Sequence, residues 1–225
     1  MPRLTRHIAG LALLPWLSLW GAAAWAQVTT YPAPSTETGT LSVYSSLDDA
    51  LAAPLIAAYQ SRNPGIAVRY ENLLTTELHD RIMAETEAGE GTADFAFSSA
   101  MDLQVKLAND GYARPAMTPD TTGWPAWANW RNTAYALTFE PAVFAYHKPS
   151  FVDAPPPATR ADLRRWIADH PDQARGRIGT YDITRSGVGY LFMARDQELY
   201  PRIWIVVQAM GRAGVQQFAT SGELL

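Results

Sequence analysis

The chain has 225 residues, 48% of them hydrophobic, with 18 basic against 22 acidic side chains and no cysteine. That length can bury a core without covalent staples, and the lack of cysteine excludes a disulfide scaffold, a thiolate metal site and a lipid-anchored cysteine. A formal charge of −4 argues against a nucleic-acid or anionic-membrane surface.

The first residues read as a secretion signal. Arg3, Arg6 and His7 precede an apolar run from Ile8 to Trp20, and Ala24-Trp25-Ala26 places small residues where a signal peptidase reads. The run falls short of the roughly 20 apolar residues of a membrane anchor, so residues 1–26 are expected to be a signal peptide cleaved before Gln27. Cleavage leaves 199 residues carrying 16 basic and 22 acidic side chains, a formal charge of −6. The product is expected free in the periplasm.

Residues 27–39 are rich in Thr, Pro and Ser without apolar periodicity and are expected to be a loose leader. Leu41-Ser42-Val43-Tyr44 then predicts a short inner strand that stops on Ser45-Ser46. Leu51, Leu55, Ala58 and Tyr59 predict a helix over 48–62, with Ser46 and Asp49 spaced as a capping box. Asn63-Pro64-Gly65 ends it. Ile66–Tyr70 predicts the next strand, and Thr75 or Thr76 caps a helix carrying Leu78, Ile82 and Met83. Ala93–Phe97 predicts a third strand, which again stops on two hydroxyls, Ser98-Ser99, before a helix with Leu103 and Leu107 that ends at Gly111. Ser99 and Asp102 repeat the capping-box spacing.

Strands alternating with helices predict a parallel sheet, and right-handed crossovers place both Ser-Ser junctions on one edge of it. Open α/β sheets hold ligands beyond the carboxyl ends of their strands, where helix N-termini favour an anionic group. Ser45, Ser46, Ser98 and Ser99 are therefore candidate ligand residues.

Further along, Trp124, Trp127 and Trp130 are read as packing in preference to a sugar-stacking platform. Ala134 to Tyr146 is expected to be extended, bent at Pro141. Residues 149–158, with Ala154-Pro155-Pro156-Pro157, make a stiff linker. It divides a first α/β lobe at 40–148 from a second at 159–225. The second opens on a Thr159/Asp162 capping box and a helix with Leu163, Trp166 and Ile167. Arg177–Tyr181 predicts a strand, and Asp182–Gly189 a third hydroxyl-lined turn into a helix, which adds Thr184 and Ser186 as candidates. A last helix carries Trp204, Ile205 and Val207 to Gly211. No His/Glu cluster has metal-ligand spacing. No G-x-S-x-G elbow occurs either, which disfavours a hydrolase or transferase on a two-lobe scaffold.

Three stretches carry a resemblance: Ala93-Asp94-Phe95-Ala96-Phe97-Ser98-Ser99-Ala100-Met101-Asp102, Ala108-Asn109-Asp110-Gly111-Tyr112, and Gly176–Asp182 leading into Ser186-Gly187-Val188-Gly189-Tyr190. With them the chain, from about Thr40 onward, resembles a periplasmic substrate-binding protein of an ABC importer, in the branch for ferric iron, phosphorylated sugars or phosphoglycerate. The resemblance implies a periplasmic-binding-protein-like α/β fold of two hinged lobes, no cofactor, no enzymatic activity, a monomer, and delivery of the ligand to a membrane permease or sensor. Family members continue further, so the second lobe is expected to be incomplete, exposing Trp166 and Trp204, and the chain could be a non-functional fragment. His147 stands where the family more often has Asn. Ferric binders of the family present adjacent tyrosines, and no Tyr-Tyr pair occurs here. The expected ligand is accordingly a small phosphorylated or carboxylated anion, with a ferric-iron receptor as the alternative.

Overall fold

The computed structural model describes residues 27–225; the expected signal peptide, residues 1–26, lies outside the described residues. Strands β1 (Gln27–Tyr31), β2 (Gly39–Ser45), β3 (Ile66–Asn72) and β4 (Phe95–Phe97) form one sheet in the order β1-β3-β2-β4. β2 runs parallel to both β3 and β4, so this part of the sheet is the expected parallel one. Helices α1 (Asp49–Arg62) and α2 (Thr75–Glu87) supply the crossovers, and α3 (Met101–Asn109) follows β4.

The segment expected as a loose leader begins instead with β1, antiparallel to β3, with Gln27 opposite Asn72 and Tyr31 opposite Val68. Thr29, Thr30 and Tyr31 are good strand formers, but an edge strand needs no apolar alternation, so periodicity does not reveal it. The Tyr31 hydroxyl donates to Asp49 Oδ1 at 2.8 Å, and burial together with that bond pushes its pKa up to about 12.

Alternation along β2 sends neighbouring residues to opposite faces. Val43 joins Ala52, Ile56, Val68 and Tyr70 beneath α1, while Tyr44 joins Leu73, Leu78, Ile82 and Leu107 beneath α2 and α3. Behind that second cluster the buried Glu71 carboxylate is bridged by Arg69 and, at 2.7 Å, by Arg81. Arg81 also reaches Glu85 at 2.8 Å and lies 4.6 Å from the centre of the Tyr44 ring. Burial raises the Glu85 pKa, but hydrogen bonds from Arg81 and Tyr44 outweigh it and hold the carboxyl below its ordinary range.

A hairpin of β5 (Asn129–Trp130) and β6 (Ala134–Tyr135) follows, turning through the left-handed residues Arg131 and Asn132. Trp124 meets Tyr135 edge-on at 6.0 Å and packs as expected, whereas Trp130, whose indole donates to Asn109 Oδ1 at 2.9 Å, and Trp127 stay exposed. Beyond β6 the chain is irregular and mostly exposed to Tyr146.

After the Pro-rich segment come α4 (Arg160–Asp169), α5 (Pro171–Ala174), β7 (Gly179–Tyr181), α6 (Gly187–Leu199), α7 (Ile203–Arg212), β8 (Gln216–Phe218) and α8 (Ser221–Leu224). The capping box forms as expected, Thr159 Oγ1 accepting from the Asp162 N–H at 3.1 Å. β7 and β8 pair in parallel, and Ile167, Ala174 and Ala213 centre the packing of α4, α5 and α7. Trp166 is half-buried, stacked on His170 and tilted against Phe151, whereas Trp204 is 49% exposed.

Candidate ligand site

Three parallel strand ends lie in line. Ser45 is opposite Asn72 of β3 and Phe97 of β4, and the ladder runs on as Ser46 N–H donates to Phe97 O at 3.0 Å and Leu73 N–H to Ser45 O at 2.8 Å. Tyr70 Oη and Asn72 Nδ2 both donate to Leu47 O, at 2.5 and 2.8 Å, drawing the loop after β2 down onto the sheet. The edge is thus held before any ligand arrives.

The two Ser-Ser junctions are joined to each other in place of capping their own helices. α1 starts at Asp49 with Asp48 as an N-cap that makes no side-chain bond, and Ser46 Oγ accepts from the Ser99 N–H at 3.2 Å. α3 starts at Met101 after Ala100, and Ser98 Oγ accepts from the Ala100 N–H at 3.2 Å. The expected Ser46/Asp49 and Ser99/Asp102 capping boxes do not form. Adjacent parallel strands bring the backbone after β4 within reach of Ser46, and that cross-junction bond satisfies the Ser46 hydroxyl in place of its own helix.

The opposite wall is the turn from β7 into α6. Asp182 continues the ladder by donating its N–H to Phe218 O at 2.8 Å. Its carboxylate accepts from both the hydroxyl and the N–H of Thr184, at 2.6 and 2.9 Å, and that hydroxyl bond holds it below the ordinary carboxylate range. Ser186 N-caps α6 by accepting from the Gly189 N–H at 3.2 Å.

The walls touch. Thr75 Oγ1 accepts from the Gly187 N–H at 2.7 Å, and Thr76 Oγ1 donates to Arg185 O at 3.1 Å. A Cβ at Gly187 would lie 2.9 Å from both Leu103 and the Thr75 hydroxyl, and 3.4 Å from Ala100. The N-terminal ends of α2, α3 and α6 therefore converge at one place, each presenting the positive end of its dipole. Nearby, a Cβ at Gly222 of α8 would lie 3.1 Å from the Asp48 carboxylate, a second approach of the two walls.

Of the six candidates, Ser46, Ser98 and Ser99 are half-buried on one wall and Thr184 is exposed on the other. Ser45 and Ser186 are buried, at 0% and 2% exposure, with their hydroxyls accepting from Leu47 and Gly189, so they underlie the walls. Thr75, Thr76 and Gly187 were not singled out as wall residues. Their signal was present as a third hydroxyl pair after a strand, masked because Thr75 reads as an ordinary cap. No group of three or more His, Asp and Glu side chains converges among the described residues, so the site offers hydroxyls, backbone N–H groups and helix dipoles to a ligand.

No family model and no curated protein matches the chain. Among solved structures, the chain is similar to the crystal structure of the substrate binding protein of the ABC transporter from Agrobacterium tumefaciens, with 61% identity over 88% of this chain. The chain spans 59% of that protein's length. Over the part they share, the TM-score is 0.86: this chain has the α/β fold of that substrate-binding protein, a periplasmic-binding-protein-like fold.

Proposed function

We propose that the chain belongs to the solute-capturing component of an ABC importer, which holds a small phosphorylated or carboxylated anion between its lobes and delivers it to a membrane permease. The observation that carries this reading is the convergence of the α2, α3 and α6 N-termini beside the half-buried Ser46, Ser98 and Ser99. N-terminal N–H groups and dipoles bind oxyanions without an opposing cation, and hydroxyls adapt as donors or acceptors. The similarity to the Agrobacterium protein supports a receptor over an enzyme. The N-terminal pattern of residues 1–26 supports export, in which case the mature protein works in the periplasm with Gln27 as its first residue.

Calorimetric titration with a panel of sugar phosphates, phosphoglycerate and small carboxylates tests the reading. Saturable binding of at least one anion, with no turnover, is expected. A tyrosinate-to-iron absorption band on adding ferric ion, with no anion bound, would replace it by the iron reading, and steady consumption of an ester or phosphoester would replace it by a hydrolase.

A further inference from the structure

A groove among the C-terminal helices shares no lining residue with the candidate ligand residues. α4, α5 and α7 enclose an open groove of about 540 Å³ whose floor includes Ile167, Ile205 and Ala209 and whose rim carries Arg164, Arg175 and Arg212. Ile205 is 52% exposed and Ile167 is buried, so Ile205 supplies the apolar floor surface in contact with water. Among the described residues neither Arg164 nor Arg212 has a carboxylate within 4.0 Å, and Arg175 has only the exposed Asp172 at 3.6 Å. Three guanidinium groups thus surround one cavity in a chain whose net charge is negative.

The arrangement is held from beneath. Gly176 N–H donates to Ala213 O at 2.8 Å, and both Gly176 and Gly214 are left-handed, so the ends of α5 and α7 are tied side by side with Arg175 and Arg212 adjoining the tie. Ile167 also packs with Ala174 and Ala213, which fixes the floor to the buried cluster of α4, α5 and α7. Water and salt screen the exposed rim cations in the open groove, and an occupant that covers them must bring negative charge in place of that solvent. Arginine suits that role, because its planar group pairs carboxylates two-fold and tolerates partial burial.

We infer that this groove docks an acidic segment of a partner protein, in which an apolar side chain seats on Ile167, Ile205 and Ala209 while flanking carboxylates pair with Arg164, Arg175 and Arg212. A free oxyanion would satisfy the rim and leave the floor wet; an apolar segment alone would desolvate the guanidinium groups unpaired. Only the combination meets both. The inference rests on this groove and is independent of the ligand cleft.

The test is fluorescence anisotropy of a labelled synthetic peptide carrying a leucine between paired glutamates, titrated with the full chain. Saturable binding that weakens with salt is expected. R164E and R212E should each lower affinity about tenfold or more, which is about 1.4 kcal/mol or more, and I205S should lower it while salt dependence persists. Unchanged melting temperatures in these exposed-residue variants would show that the fold is intact. Absence of binding, or equal affinity in the charge-reversed variants or for a lysine-for-glutamate peptide, overturns the inference. Full displacement by equimolar inorganic phosphate would mean a small-anion site, and tighter binding to phosphatidylglycerol vesicles than to the peptide would mean a membrane surface. Either would also overturn it.

Discussion

The Thr75 hydroxyl accepts a hydrogen bond from the backbone N–H of Gly187 at 2.7 Å, joining residues 112 apart in sequence at the buried meeting point of two helix N-termini. Thr75 is the first residue of α2, so this hydroxyl serves the opposing helix and not its own. Where Gly187 meets Leu103, Ala100 and Thr75, an added Cβ would press on the Leu103 methyl and the Thr75 hydroxyl. The contact holds the two walls together and occupies a donor that an anion would otherwise claim.

Thr75→Val keeps the shape and removes the acceptor, stranding a buried N–H, which costs about 1–3 kcal/mol. The expected result is a lower melting temperature and a larger radius of gyration by small-angle X-ray scattering. An unchanged radius would mean that other contacts alone hold the walls.

Gly187→Ala should act on the same contact by a different route. The added Cβ would come within 2.9 Å of two side-chain atoms, so Leu103, Thr75 or α6 itself must shift and the wall contact loosens. Weaker anion binding by calorimetry is expected, with far-ultraviolet circular dichroism retained. Wild-type affinity would mean that the walls adjust without moving the helix ends.

Ser46 and Ser45 separate binding from support. Ser46→Asp places a carboxylate at the junction edge beside the Ser99 N–H, where a bound anion would be repelled, so affinity should fall by at least tenfold while the protein stays folded. Ser45→Ala removes a buried acceptor of the Leu47 N–H and should cost about 1 kcal/mol of stability with little change in affinity. The reverse pattern, measured by calorimetry and thermal melting, would exchange the two roles.

The Glu71–Arg81–Glu85 network predicts acid sensitivity. Glu85 is held below its ordinary pKa, so its contribution is complete above the usual glutamate range and disappears as pH falls through the lowered value. Arg81→Leu leaves the Glu71 carboxylate, 2% exposed, with Arg69 alone and should cost about 3 kcal/mol at neutral pH. Denaturant melts from pH 7 to pH 3 should show stability falling less steeply in the variant. Parallel curves would place the acid sensitivity elsewhere.

What the sequence by itself determined about this protein is what a few neighbouring residues can encode. Apolar spacing marked β2, β3, β4 and the helices that follow them, and Thr159 with Asp162 formed the capping box that their spacing requires, because both depend on contacts within a turn or two of chain. The same local signal at Ser46/Asp49 and Ser99/Asp102 was overridden. For Ser46 the tertiary structure offered the Ser99 N–H, 53 residues away and just past a strand whose proximity follows from the sheet order. β1 was missed because an edge strand is specified by its partner β3 and not by its own periodicity. The meeting of Thr75 with Gly187, and of Arg164 with Arg175 and Arg212 around one groove, likewise had no local signature. Such pairings exist only after the helices are packed, since the energy that selects them comes from burial and desolvation between elements far apart in the chain.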